Sequence, residues 1–143
     1  MYFRTDLSGY TESSYPKIIK IKSVRELNDY FENNKDYYQF HIRFLGEPSM
    51  EDVVFSSGTA YNEEFFESSL LLFIVLEEGS GSVRHRAGDV VQNSGSLSVN
   101  ITRVIPEIGT ADMAQWHIVI AMDKSLADND IAVILNEEHK KDD

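Results

Sequence analysis

The sequence predicts a β-rich α+β fold: an antiparallel sheet, folded as a sandwich or an open barrel, with one N-terminal amphipathic helix packed on it. Three observations carry this reading. Alternating apolar and polar segments, separated by turn signals, recur from Ser82 to Leu135. The run "LLLFIVL", Leu70 to Leu76, is apolar on both faces and bounded by polar residues, as a fully buried strand is. The best helix signal is "SVRELNDYFENN". There Ser23 and Glu26 form a capping box, and Val24, Leu27, Tyr30 and Phe31 share a face.

Residues 1–16 are polar and turn-rich and end at Pro16. They read as a loose N-terminal arm, docked in part through Tyr2, Phe3, Tyr10 and Tyr15. Lys17–Lys22 reads as a short strand with Ile19 and Ile21 on one side. The helix from Ser23 to about Asn34 covers the sheet. Tyr37–Leu45 alternates cleanly, with Tyr38, Phe40, Ile42 and Phe44 on one face, and predicts a half-buried strand. "DVVF" at 52–55 offers another short strand. Asn62 can cap one or two helical turns over 61–69, with Glu63 and Glu64 at the positive end of the dipole. Leu70–Leu76 is then the central strand.

The second half predicts strands at 82–92, 96–105, 115–122 and 131–135, with a turn at "NSG" 93–95 and a longer loop over 106–114. Leu97, Val99 and Ile101 face inward. Arg103-Val104 breaks that alternation and predicts a bulge. The charged tail 137–143 is expected to fray. With no linker or repeat, residues 17–136 are expected to form a single globular domain.

The chain of 143 residues carries 13 basic and 24 acidic side chains, a net charge of −11. A polyanion meets repulsion, so neither nucleic acid nor an anionic membrane surface is expected as a partner. There are no cysteines, which excludes thiol catalysis, cysteine–zinc sites and disulfides. No transmembrane segment is expected, because Leu70–Leu76 is too short to span a bilayer as a helix. The N-terminal stretch has no apolar h-region, so the sequence as it stands is expected in the cytoplasm. Export or lipoprotein anchoring would require a leader that has been trimmed.

"VLEEGSGSVRHR", Val75 to Arg86, is the most conspicuous loop. A phosphate cradle needs a following helix and usually a lysine. Here the next segment alternates like a strand, and Glu77 and Glu78 would repel the anion. The nucleophile elbow G-x-S-x-G is absent. What remains is a hairpin turn at Gly79, Ser80, Gly81 and Ser82, with a recognition loop as its functional counterpart. Arg84 and Arg86 share a strand face and could hold a carboxylate, but read as surface arginines balancing acidic neighbours. Trp116, the single tryptophan, reads as a core anchor or as a rim aromatic beside the 106–116 loop. His85 and His117 could bind a metal only by converging across strands with Asp112 or a glutamate. The Asn100-Ile101-Thr102 sequon is read as chance.

The stretches "EEFFESSLLLFIVLEEGSGSVRH" and "GSLSVNITRVIPEIGTADMAQWHIVIAMDK" present a helical turn with paired aromatics, a buried strand, a Gly-rich turn, a strand, a Pro/Gly loop and an apolar strand ending in Asp-Lys. In layout, over residues 65–135, this resembles the C-terminal domain of the PrcB-like family of bacterial protease-complex proteins. Gly79-Ser80-Gly81-Ser82 stands where that family typically has Thr-Gly-Gly-Tyr. The resemblance implies a non-catalytic, β-rich accessory domain that contacts another protein. It implies no catalytic residue, and family members are often exported.

The expected function is therefore a non-catalytic protein-interaction or accessory domain, without a cofactor. Its contact edge would comprise Gly79, Ser80, Gly81, Ser82, Arg84, Trp116 and His117. The alternative is a small-ligand or metal-binding enzyme using His85, His117 and nearby acids. A structural component of a homo-oligomer is a third possibility, and the sequence leaves the oligomeric state open.

Overall fold

The computed structural model describes residues 1–9 and 13–141. The fold is β-rich α+β, built on two open, mostly antiparallel sheets. The strands are β1 (Tyr2–Arg4), β2 (Lys17–Ile21), β3 (Ser69–Glu78), β4 (Arg84–Asn93), β5 (Ser96–Pro106), β6 (Ala114–Asp123) and β7 (Asp130–Lys140). The α-helices are α1 (Val24–Asn34) and α2 (Glu63–Ser68). One sheet has the order β1-β6-β3-β2 and the other β4-β5-β7. The chain divides into two compact units, Met1–Glu77 with Gln115–Ala127, and Glu78–Ala114 with Asp128–Asp143.

The first unit is organised around β3, whose residues from Leu70 to Leu76 are all buried, as the apolar run requires. α1 lays Leu27 into a core shared with Phe73, Val75, Met50 and Val54. The Ser23 half of the predicted capping box starts it: the Glu26 N–H donates to Ser23 Oγ at 3.1 Å, satisfying one orphan donor of the first turn, while the Glu26 carboxylate accepts from the Ser23 hydroxyl at 3.4 Å. We expect Ser23→Ala to cost about 1 kcal/mol in a urea melt; an unchanged midpoint would show the cap to be dispensable. Asn62 likewise caps α2 through the Phe65 N–H at 3.0 Å.

Several expectations are corrected. The N-terminal arm contains a strand: β1 pairs antiparallel with β6, setting Phe3 opposite His117 and Arg4 opposite Trp116. Tyr10 lies outside the described residues. Tyr37–Leu45 is not a strand. Tyr38 and Phe40 are buried among aromatic rings, but their N–H groups donate to the nearby Asn34 and Tyr38 carbonyls, the Phe40 carbonyl accepts from the Glu51 N–H, and one bridge joins Leu7 and Tyr38. Alternating burial arises there from a folded loop rather than a ladder. Glu51–Phe55, expected to include a strand, is one π-helical turn that buries Val54.

In the second unit, β4 and β5 form an antiparallel hairpin through Ser94-Gly95, with Gly95 at φ +87. That left-handed position suits glycine. The bulge lies in β4 between Ala87 and Val90, not at Arg103-Val104, which pair in register on both sides. β7 runs parallel to β5 over eleven consecutive pairs, from Ser96–Asp130 to Pro106–Lys140. Much of the predicted frayed tail is therefore ordered strand. The Gly-Ser-Gly-Ser segment does not close a hairpin either, since β3 and β4 belong to different sheets.

Candidate functional site

In the second unit the Gly-rich turn and the 107–113 segment are tied together. The Gly81 N–H donates to Asp112 Oδ1 at 3.1 Å, and the Thr110 N–H donates to Ser82 Oγ at 3.1 Å. The Ser80 and Ser82 hydroxyls are 2.7 Å apart, and Ser80 Oγ is 3.2 Å from Thr110 Oγ1. Arg84 donates to the Gly81 carbonyl at 2.5 Å, closing the turn on itself. A Cβ on Gly109 would come within 3.0 Å of Ser80 Oγ, so glycine permits the close approach. Small hydroxyls and one carboxylate thus replace the regular ladder that a hairpin would have supplied. Above this knot the loop holds Ile108 at 78% and Met113 at 57% exposure.

Behind the knot, on the inward side of β5, lies a charged cluster. Glu78 is 4% exposed. Its Oε1 accepts from Arg103 Nη2 at 2.6 Å, and its Oε2 accepts from Arg103 Nε at 2.8 Å. His85 Nε2 lies 2.7 Å from the same Oε2. Arg103 also donates to Glu137 at 2.8 Å. Burial pushes the Glu78 carboxyl up, but the Arg103 and His85 hydrogen bonds outweigh it and hold the pKa down at about 2. Arg86 pairs with Glu138 at 2.7 Å on the exposed face, as charge balancing predicts.

Trp116 and His117 belong to the first unit, and both are fully buried. Neither offers the surface that a contact edge needs. Trp116 stacks on Tyr2 with centroids 4.7 Å apart, meets Phe44 edge-on, and has the Arg4 guanidinium 5.7 Å from its ring. It is the core anchor rather than the rim aromatic. His117 Nδ1 lies 2.6 Å from Thr5 Oγ1, and Nε2 lies 2.6 Å from the Tyr30 hydroxyl. Burial, with a smaller push from Lys17, lowers its pKa to about 3. The imidazole is neutral at physiological pH, and a hydroxyl occupies each ring nitrogen.

The two histidines of the enzyme alternative therefore sit in different units, each held by its own partners. Among the described residues no group of three or more His, Asp or Glu side chains could hold a metal ion. No helix is long and apolar enough to cross a membrane, among the residues described. The Glu78–Arg103 pair is absent from the sequence-based expectations, although a signal for it exists. Arg103 continues the inward series Leu97, Val99, Ile101, and a cation at an inward position calls for a buried anion. A scan against family models, a search of curated proteins and a search of solved structures each found no match.

Proposed function

We propose that the chain is a non-catalytic protein-interaction module whose contact edge is the Gly79–Ser82 turn together with the 107–113 segment. The observation that carries this reading is the exposure of Ile108 and Met113 on a loop pinned to the turn through Thr110 and Asp112. A loop held by hydrogen bonds presents its apolar side chains with less ordering cost on binding than a free one. Buried apolar anchors of this kind dominate interface energetics. The layout resemblance to the PrcB-like domain supports the same reading, since it implies an accessory role toward another protein. The partner that fits offers an apolar pocket and tolerates an acidic chain of net charge −11. Trp116 and His117, expected at the edge, drop out of it because they are buried.

The test is native co-purification with the double variant Ile108→Asp/Met113→Asp. Both side chains are exposed, so the fold is expected to survive. At about 1–2 kcal/mol per lost anchor, the two changes together should deplete a specific partner about 30- to 1000-fold. An identical profile of bound proteins for the two chains would sink the proposal.

A further inference from the structure

We propose that β7 is a self-pairing edge, through which two copies of this chain join their β4-β5-β7 sheets into one continuous sheet. This inference is independent of the turn and loop described above.

Strand β7 ends its sheet, so among the described residues it has a hydrogen-bonded neighbour on one side only. In a parallel ladder alternate residues direct their backbone groups away from the partner strand. The outer side of β7 therefore presents a row of N–H and C=O groups. Such edges recruit other strands unless they are short, bulged, kinked or charged. The two edges of this sheet differ in that respect. β4 carries the register break between Ala87 and Val90, with Gly88 inside it and Arg84 and Arg86 at one end. β7 pairs through eleven positions without a break and has no proline. Its N-terminal half, Ile131-Ala132-Val133-Ile134-Leu135, has no charge, and Ile134 and Leu135 are 43% and 42% exposed.

A second copy fits this edge because the segment is self-complementary. In an antiparallel pair with its two-fold axis at Val133, Val133 faces its own counterpart. Ile131 then faces Leu135, Ala132 faces Ile134, and Asp130 faces Asn136. No like charges oppose one another across that span. Moving the axis to Leu135 would set Val133 against Glu137 and Ala132 against Glu138, and moving it to Ile131 would set Asp130 against Ala132. Shifting the axis by two residues either way thus sets a charge against an apolar side chain, which the register centred on Val133 avoids. The contact is isologous and closes at two copies. Pairing β7 with the partner's β4 would be head-to-tail and open-ended, and the bulged, arginine-bearing β4 disfavours it. The short paired span falls below the ~800 Å² per partner of a standard interface. The dimer is thus concentration-dependent. Because each chain carries −11, it is favoured by salt, which screens the repulsion between copies.

Light scattering coupled to size exclusion, across a concentration series of the full chain, tests this directly. The expected mass rises toward twice the 16.3 kDa of one chain, more readily at higher salt. Ala132→Lys/Ile134→Lys alters two exposed side chains and sets lysine against lysine twice across the axis, so it should hold the chain at one copy. Hydrogen exchange at 131–135 should slow with concentration in the wild type, a readout that does not depend on the variant folding. Ile108→Asp/Met113→Asp should leave the mass series unchanged. A single-copy mass at every concentration, a dimer indifferent to the two lysines, or exchange at 131–135 independent of concentration would each overturn the proposal.

Discussion

Acidification to about pH 5 should cost the first unit about 2 kcal/mol of stability, through His117 alone. The imidazole is buried and neutral, with its pKa lowered from 6.5 to about 3. The unfolded chain binds the proton readily below pH 6.5, whereas the folded chain takes it up only near pH 3. Between those values the unfolded state holds more protons, so stability falls as pH falls, by about 1.4 kcal/mol per pH unit. It is fully present above pH 6.5, and the whole loss, about 5 kcal/mol, is reached below pH 3. That is comparable to the entire stability of many domains. Glu78 adds its own loss only lower down, since its pKa is depressed from 4.5 to about 2. The interval between pH 6.5 and 4.5 therefore isolates the histidine. Urea melts across that interval, read at β3 and β6 by hydrogen exchange, should show the slope. His117→Gln keeps hydrogen-bonding capacity beside Thr5 and Tyr30 but cannot titrate, and should flatten it whatever its absolute stability. A wild-type slope retained in His117→Gln would assign the acid sensitivity elsewhere.

Glu78→Ala should destabilise the second unit by about 3–5 kcal/mol, because it strands Arg103 beside a buried site. The remaining Glu137 contact, at 2.8 Å, places the effect toward the lower end of that range. The cost reflects a partner left uncompensated, not the net worth of the pair. Removing both charges should therefore recover much of the loss: Glu78→Leu with Arg103→Leu is expected to lie closer to wild type than Glu78→Ala does. His85 complicates the cycle, since its Nε2 shares Oε2 of Glu78. Double-mutant cycles over Glu78, Arg103 and His85 should thus return strongly non-additive energies. Additive single changes would show that the three side chains do not act as a unit.

The turn that looks most functional in the sequence owes its shape to residues far along the chain. Ser80 and Ser82 are legible as turn formers, but Thr110 and Asp112, which fix them, carry no local signal of that role. Local hydrophobic pattern places three strands well: β5 alternates buried with half-buried residues, while β3 and β6 carry runs buried on both faces. It fails for Tyr37–Leu45, where aromatic residues at alternate positions are buried by a folded loop. It fails also for 137–140, where charged residues continue a strand whose sides face solvent. Composition suggests a tail, while eleven register pairs with β5 make a strand.

The β-rich α+β class, the capped helix and the buried strand were all legible in the amino-acid sequence. These depend on side-chain polarity and local spacing, which every short window carries. The division into two sheets, the parallel pairing of β7 with β5, the meeting of Glu78 with Arg103 and the interior positions of Trp116 and His117 come from long-range contacts. Those outcomes depend on which distant segments meet, and strand partners are chosen by the total burial and hydrogen bonding of the whole chain. No window around "VLEEGSGSVRHR" contains that information.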